Sequence, residues 1–345
     1  MNFEIKQFSQ KYEKKWDEFV INNNESTYCH QIGWKNVIEE TYRLNSCYLL
    51  AENDVGAVVG ILPMFIVKDI FFGKRMISLP FVPLGGICCE TDDIRDALIN
   101  ETINMGTDHN VDYCEIRSLT DQKYFDEFKD TNTYVTSVLS LDDTPENTLK
   151  SMARNKRKNI YKSERGNLEY NYFSDNQNTF NDFYKIYSQN MKRLGTPQHS
   201  EDFFQNILKY LNADIIGVYK DNECQYSAIV ILFKESMIDF TSSALIESRK
   251  FFVTDFGVWN LILKAHDMDL RYFDFGRSVR DSENWESKRR WGAKTIDLNY
   301  YYPLSQNLNV SKLNPSKYNK IAKIWSKLPS AITSQIGPIL RSRII

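Results

Sequence analysis

Apolar positions in the first third of the chain alternate between helical spacing and strand-like runs. Apolar residues three and four positions apart predict helices at 10–21, 33–44 and 92–109. Strand-like runs lie at 46–52 and 57–68, and a short buried-strand pattern at 113–118 follows the third helix. This order predicts a mixed α/β fold.

The second half of the chain repeats this order. The pattern predicts helices at 179–193, 200–211 and 257–267, and strands at 214–220, 225–234, 237–243 and 271–278. The closing strands of the two halves, 113–118 and 271–278, each contain a Tyr, an acid, an Arg and a Ser in that order. A duplication explains the likeness, although alternating helices and strands are common enough for it to arise by chance.

A turn separates the two halves. Residues 141–150 include Asp-Asp-Thr-Pro-Glu-Asn, in which Thr144 and Pro145 are suited to begin a helix. We therefore expect a first domain at 1–143, a second at 144–305 and a C-terminal tail at 306–345.

Composition narrows the class of protein. The 345 residues are 42% hydrophobic and 14% aromatic, which fits a folded globular chain and excludes a disordered or fibrous one. No apolar run approaches the roughly 20 residues that span a bilayer, and the charged start from Met1 to Trp16 does not resemble a secretion signal. The cysteines and histidines are scattered without zinc-ligand spacing. We expect a cytoplasmic, reduced, metal-free protein without a tightly bound cofactor.

The predicted helix at 151–165 is strongly basic. At about 100° per residue, one face carries Arg154, Lys158, Lys162 and Arg165. Such a face can hold the phosphates of a donor with a nucleotide or tRNA part. It also fits a solvated surface opposite an apolar stripe of Met152, Ile160 and Tyr161. Both interpretations stay open.

A second dense cluster of charge runs from the last predicted strand, 271–278, into the loop predicted after it. It contains Asp274, Arg277, Ser278, Arg280, Lys288 and Trp291. Polar segments at strand ends are where α/β sheets bind ligands, so this one can stabilise an oxyanion and position an amine. A surface network of Arg and Asp explains the same pattern. Because no G-x-S-x-G nucleophile motif is present, direct attack by an acceptor amine is the simpler mechanism.

Two further features have both a functional and a structural interpretation. Trp34 is suited to lining a cleft and equally to a core. The tail has no acid after Asp297, and its basic residues alternate with apolar ones: Lys312, Lys317, Lys320, Lys323, Lys327, Arg341 and Arg343. This amphipathic pattern suits contact with an anionic membrane through 312–345, and it also suits a terminal helix docked on the protein.

Short motifs are spread over nearly the whole chain. They are Trp34, Gly60-Ile61-Leu62-Pro63, Phe72-Gly73, Ser78-Leu79-Pro80-Phe81, Gly85-Gly86, Glu115-Ile116-Arg117, Met191 to Pro197, Phe273 to Ser278 and Lys288 to Ala293. Together they resemble the Fem-like branch of the GNAT superfamily, most closely the FemAB-related proteins associated with exopolysaccharide and exosortase gene sets.

This resemblance implies tandem GNAT-like domains, each a mixed sheet flanked by helices. It implies an N-acyl or aminoacyl transferase that moves an activated group onto an amine of a cell-envelope or polysaccharide precursor. Well-studied Fem members use aminoacyl-tRNA and carry a Phe-Lys-x-x-Phe-Gly segment whose lysine stabilises charge at the ester carbonyl. Lys288 occupies that place, preceded by Ser287 where the family has an aromatic residue.

The donor stays open between aminoacyl-tRNA and acyl-CoA. CoA-using GNAT enzymes hold pyrophosphate with an Arg/Gln-x-x-Gly-x-Gly/Ala loop at a helix N-terminus. The sequence contains no such loop. This favours aminoacyl-tRNA or a carrier-bound acyl group, while divergent relatives keep acyl-CoA in consideration.

Our first hypothesis is therefore an acyltransferase in which Lys288 stabilises the oxyanion and Asp274 orients a reacting group. Arg277 would hold the anionic donor together with Arg154, Arg157 and Lys158, and the further substrate-binding candidates are Ser278, Arg280, Trp291 and Trp34. The alternatives are a non-catalytic GNAT-fold module recruited to membrane or polysaccharide-assembly machinery, and a CoA-dependent N-acetyltransferase.

Overall fold

The computed structural model describes residues 2–69, 73–119, 129–130, 133–173, 177–304 and 318–344. Its helices are α1 Glu13–Asn22, α2 Gly33–Tyr42, α3 Asp92–Asp108, α4 Pro145–Ser151, α5 Arg154–Ser163, α6 Gln177–Leu194, α7 Glu201–Tyr210, α8 Val253–Asp267, α9 Glu283–Arg289, α10 Tyr318–Trp325 and α11 Ser330–Arg341. Within the described chain, no helix combines the length and the apolar character needed to cross a bilayer.

Strands alternate with these helices. In the first half they are β1 Phe3–Gln7, β2 Asn45–Ser46, β3 Leu49–Asn53, β4 Val58–Leu62, β5 Met64–Asp69, β6 Gly73–Ser78, β7 Cys88–Cys89, β8 Tyr113–Ser118, β9 Lys129–Asp130 and β10 Tyr134–Ser140. In the second half they are β11 Glu169–Phe173, β12 Ala213–Lys220, β13 Glu223–Phe233, β14 Ser236–Ala244, β15 Tyr272–Val279, β16 Lys294–Asp297 and β17 Asn299–Tyr301. The predicted mixed α/β fold is confirmed.

Helix starts follow the capping residues in the sequence. The side chains of Thr91, Thr144 and Ser200 accept hydrogen bonds from the first-turn amides of α3, α4 and α7. Two details differ from the predicted pattern. The basic helix breaks after Ser151, because buried Met152 is extended and Ala153 N–H bonds to Arg290 O, and the segment after β15 forms α9 rather than a loop.

Each half contains the same unit: an antiparallel hairpin, a crossover helix and a strand parallel to the second hairpin strand. In the first half β5 and β6 form the hairpin, α3 crosses over and β8 pairs parallel with β6. In the second half β13, β14, α8 and β15 take the same places. Glu115 lies opposite Ile77 and Asp274 opposite Ile238. The acids of the two closing strands, Glu115 and Asp274, therefore occupy equivalent positions in the two halves.

The halves exchange strands. β10 precedes the predicted boundary at 143/144 but pairs between β15 and β16 in the seven-stranded sheet of the second half. β17 follows that sheet in the chain but pairs between β8 and β9 in the sheet of the first half. The domain limits 1–143, 144–305 and 306–345 stay a prediction, and residues 306–317 of the tail lie outside the described residues.

Aromatic side chains from both halves share one hydrophobic core. Helices α1 and α2 of the first half contribute Trp16 and Trp34, and α6 and α7 of the second half contribute Phe183 and Phe203. Trp34 is fully buried, donates its indole N–H to Tyr28 O at 3.0 Å and packs on Phe240 of β14. In this position Trp34 connects the two halves and has no surface facing solvent.

We predict that Trp34→Ala lowers the free energy of unfolding by about 3 to 5 kcal/mol, because it leaves a large cavity in the shared core. Chemical denaturation followed by circular dichroism measures the change. Ile21→Ala is the control, since Ile21 is 55% exposed and surface substitutions change stability by about 0.5 kcal/mol or less. Equal denaturation midpoints for the Trp34 variant and the unaltered protein would contradict the core position.

Candidate active site

Strands β14 and β15 run parallel and then separate. Their parallel pairs are Ser236 with Tyr272, Met237 with Phe273 and Ile238 with Asp274. Beyond these pairs, β15 remains bonded to β10 and β14 remains bonded to β13, each on its far side. A gap therefore opens between the strands, lined by backbone groups without a partner from the neighbouring strand.

Bulges in both strands lie where the gap begins. In β14 the register against β13 shifts at Phe240, and in β15 the register against β10 shifts at Gly276. Gly276 has φ +70°, and a Cβ there would lie 3.3 Å from Asp239 O. Glycine is therefore the residue that permits this close approach.

Asp274 lies at the last parallel pair. Its Oδ1 accepts hydrogen bonds from Thr136 Oγ1 at 2.7 Å and from Gly276 N–H at 2.8 Å. Burial raises the pKa of this carboxyl, although both hydrogen bonds oppose the shift. Thr136, which comes from the exchanged strand β10, thus fixes the orientation of the Asp274 side chain.

Lys288 reaches the same place from α9. That helix begins at Ser282, whose Oγ accepts from Trp285 N–H. Lys288 Nζ donates to Gly276 O at 2.8 Å and to Arg277 O at 3.1 Å. An ammonium has three donors, and among the described residues no partner is found for the third. It is available to a ligand oxygen.

Burial and the neighbouring charges together determine the pKa of Lys288. Burial, helped by Arg277, lowers the pKa of Lys288 to about 8, while Asp239 and Asp274 act in the opposite direction. Near neutral pH the side chain is therefore a cation that is poorly solvated. Such a cation interacts strongly with negative charge that develops beside it.

Asp239 is the member of this cluster that the sequence did not reveal. It lies opposite Val230 in β14, after the apolar pair Met237 and Ile238. Its Oδ2 accepts from Ser242 Oγ at 3.0 Å, whereas its Oδ1 is buried without a hydrogen-bond partner. Burial raises the pKa of Asp239 to about 6. An acid interrupting the run Met-Ile-Asp-Phe was the one available signal.

Arg277 points to the junction of the two halves. Its guanidinium lies 4.7 Å from the ring centroid of Tyr134, and Nη1 donates to Tyr300 OH at 3.2 Å. Tyr134 and Tyr300 stack on each other, and Arg117 lies over the Tyr300 ring. Arg277 is exposed, so a cation stays accessible beside this aromatic pair.

The remaining predicted residues near β15 lie at different depths. Ser278 is buried and accepts a 3.4 Å contact from Asn284 Nδ2. Arg280 is paired with Asp297. Trp291 is buried against Phe275. Of this group, Lys288 and Asp274 come together at the gap, with Arg277 beside them.

The predicted basic helix carries its charge mainly in solvent. Arg154 and Lys158 are exposed, and half-buried Arg157 reaches Lys150 O at 3.5 Å. The buried cation is Lys156, which the predicted face did not include: it bonds to Asp255 Oδ1 at 2.6 Å and lies over the Trp291 ring. Tyr161, placed in the predicted apolar stripe, is 52% exposed. The helix is therefore attached to the N-terminus of α8 by an ion pair.

The equivalent place in the first half is closed. Glu115 and Arg117 form a buried ion pair at 2.6 Å, and Arg117 also donates to Val82 O. Although burial alone would raise it, the pKa of Glu115 is lowered because Arg117 and Arg75 stabilise the carboxylate. The cavity beside Arg117 and Gly86 measures only about 10 Å³, which is about the space of one water.

A larger cavity lies in the second half at the carboxyl end of β14. It measures about 340 Å³ and is bounded by α6, the segment after β14 and the tail. Lys192 and Arg193 contribute cations to its wall, Glu247 contributes an acid, and Ser330 contributes the tail side. Ala244, where the cavity meets β14, lies five residues from Asp239, which is roughly 16 Å along an extended strand.

The described residues bring no three His, Cys, Asp or Glu side chains together in a way that could hold a metal ion. The charged groups described at the gap are Lys288, Asp274 and Asp239.

Solved structures with this architecture include FemX, which is 12% identical with a TM-score of 0.68 over 90% of this chain and 99% of FemX. L-PGS from Bacillus licheniformis is 10% identical with a TM-score of 0.57 over 91% and 97% of the two chains. A tandem GNAT protein from the clavulanic acid biosynthesis pathway is 9% identical with a TM-score of 0.54 over 89% and 100%. The chain has the tandem GNAT fold.

No protein-family model matches the sequence, and no curated protein is similar to it in sequence. At identities of 9 to 12% the structural likeness shows the fold alone. The predicted tandem GNAT architecture is thus confirmed. Activity has to be argued from the charged groups in the gap between β14 and β15.

We predict that Lys156→Ala lowers the free energy of unfolding by about 3 to 5 kcal/mol, because it leaves the Asp255 carboxylate buried without its cation. Lys158→Ala, two positions away and exposed, should change it by about 0.5 kcal/mol or less. Urea unfolding of both variants measures the difference. Equal stability of the two variants would show that the ion pair does not anchor the helix.

Proposed function

We propose that this protein is an N-acyltransferase that moves an activated aminoacyl or acyl group onto an amine. The observation that carries the proposal is the Lys288 ammonium, held by two backbone carbonyls with a donor to spare, where parallel strands separate. In acyl transfer the carbonyl oxygen gains negative charge as the amine attacks. A fixed, poorly solvated cation stabilises that charge more than it stabilises the neutral carbonyl.

Proton transfer is assigned to Asp239. The acceptor arrives as an ammonium and loses a proton to the carboxylate oxygen that has no partner in the structure. The free amine then attacks the ester or thioester carbonyl and forms a C–N bond. The tetrahedral oxyanion, bonded to Lys288, collapses with cleavage of the bond to the carrier, and the protonated Asp239 returns its proton to the departing oxygen or sulfur. The new amide nitrogen releases its remaining extra proton to water.

Donor binding is assigned to the open edge of β14 and the cavity at its end. An extended ligand can bond to the strand edge beyond Ile238, and its phosphates can reach Lys192 and Arg193. The N-terminus of α8 is less suited to phosphate, because the buried Lys156–Asp255 ion pair already occupies its first turn. This favours aminoacyl-tRNA over acyl-CoA as the donor.

The acceptor class comes from the resemblance of the sequence to the Fem-like branch. We infer a small-molecule or cell-envelope precursor with a free amine, and an association with polysaccharide or exosortase gene sets is part of the same proposal. The reaction is placed in the cytoplasm, with peripheral contact to the membrane. A non-catalytic module would retain the same fold but show no transfer.

Lys288→Ala is expected to slow transfer by about 10² to 10³, the usual cost of removing an oxyanion donor. The assay follows a labelled group from charged tRNA or acyl-CoA to an amino-sugar or peptide acceptor. Arg289→Ala is the matched control. Arg289 is the neighbour of Lys288 on α9 and is exposed, so this variant should retain the rate. Unchanged turnover in Lys288→Ala would remove this lysine from the mechanism, and absence of transfer by the unaltered protein would favour the non-catalytic module.

The pH dependence of kcat/KM should be bell-shaped. Activity should rise as Asp239 ionises through its pKa of about 6, because only the carboxylate accepts a proton, and fall as Lys288 loses its charge through its pKa of about 8. Asp239→Asn should remove the acidic limb and slow transfer by about 10² to 10⁴. It should also move the basic limb to lower pH, because a charge that raises the pKa of Lys288 is lost.

Asp221→Asn, on the exposed turn after β12, serves as the control for the pH measurement and should leave both limbs in place. A merely structural role for Asp239 predicts a different result. The rate would fall at every pH while the shape of the profile stayed the same.

A further inference from the structure

The tail helix α11 packs on the protein through its smallest residues. Thr333 and Gly337 are buried, and a side chain at Gly337 would collide with Gln198. At the start of the helix Lys192 Nζ donates to Ser330 Oγ at 3.0 Å, and at its end Arg341 Nε donates to His199 Nε2 at 3.1 Å. Burial, together with Arg341, holds the pKa of His199 well below its ordinary value, so the imidazole is a neutral acceptor.

A neighbouring side of α11, about a third of a turn from Thr333 and Gly337, is apolar and partly exposed. Ile332, Ile336 and Ile339 are 43%, 38% and 64% exposed. Four- and three-residue spacing places them within about 60° of arc on the helix. A helix that docks on a protein normally buries its apolar stripe, whereas α11 buries Thr333 and Gly337 instead. We call the three isoleucines the α11 stripe.

The preceding helix α10 divides its apolar residues between the two sides. Trp325 is buried at 4% exposure, so it anchors the helix, while Ile324 is 65% exposed. The sequence predicted one amphipathic pattern over 312–345, a range that includes Ile324, Trp325 and Ile332. The structure assigns only Trp325 to the core and leaves both isoleucines outside.

Basic side chains accompany this exposed apolar surface. Lys323 on α10, Lys327 in the turn after it and Arg343 after α11 are exposed. Arg341 is committed to His199, and Lys312 and Lys317 lie outside the described residues. No acid follows Asp297 in the sequence. The tail therefore offers apolar and cationic groups without a compensating negative charge.

We propose that the α11 stripe inserts into the surface of an anionic lipid leaflet, with Lys323, Lys327 and Arg343 contacting the head groups. This surface goes beyond the transfer reaction and does not depend on it. Isoleucines at an interface bury apolar area among acyl chains, and basic residues add attraction to anionic lipid. A second copy of the chain is a poorer occupant, because a symmetric contact would bring the same positive charges together.

The test is co-sedimentation of the full chain with vesicles, without donor or acceptor. Binding is expected to vesicles of equimolar phosphatidylglycerol and phosphatidylcholine, to weaken at high salt, and to be much lower with phosphatidylcholine alone. Ile332→Ser/Ile336→Ser/Ile339→Ser should reduce the partition coefficient on the order of tenfold or more, since less apolar area enters the interface. Ile21→Ser/Val55→Ser is the matched control, because these exposed residues lie in the first half.

Circular dichroism and thermal unfolding establish that the triple variant is folded, which is expected because the substituted side chains point to solvent. A charge-reversal variant, Lys323→Glu/Lys327→Glu, should lose the preference for phosphatidylglycerol. The proposal is overturned if the unaltered protein does not bind anionic vesicles, or if the triple variant binds as well as the control. Light scattering that shows a dimer broken by the triple variant would assign the α11 stripe to a second copy instead. None of these outcomes depends on transfer activity.

Discussion

The separation of β14 from β15 is the constraint on which the site depends. Two parallel strands that share three pairs and then diverge leave backbone groups that need other partners. The bulge at Gly276 presents two successive carbonyls to Lys288, and the same bulge lets its N–H bond Asp274. These hydrogen bonds position the lysine and the carboxylate in the gap. Their chemistry therefore depends on the point at which the pairing of β14 and β15 ends.

The two halves show what one scaffold does with different side chains. In the first half an Arg two residues after the acid folds back on it, and the ion pair fills the space. In the second half the inserted Gly276 separates Asp274 from Arg277, which packs on Tyr134 and Tyr300 instead. One extra residue in a strand therefore distinguishes a closed structural position from an open, charged one.

Local patterns predicted helices α1 to α3 and α5 to α8 and strands β3 to β5, β8 and β12 to β15, because capping residues and apolar spacing act over a few positions. The 113–118 strand and the start of α4 at Pro145 are examples. Lys288 belonged to the charged cluster that the sequence singled out, whereas its specific role came only from the family resemblance. Asp239 was missed because a single acid within a strand gives no periodic signal. Lys156 was missed because its burial depends on Asp255, about a hundred residues away. The places of β10 and β17 were missed for the same reason: pairing between distant strands leaves no trace in local spacing.

The exchange of β10 and β17 has a consequence for how the chain can be divided. Each strand is an interior member of the sheet that it joins. A fragment that ends between the halves would lack one interior strand of its sheet and would carry a second strand without its partners. Both changes would expose unpaired strand edges, which are prone to aggregation. The sequence shows two repeats, but each half needs a strand from the other to complete its sheet. The two halves therefore have to be expressed, folded and engineered as one chain.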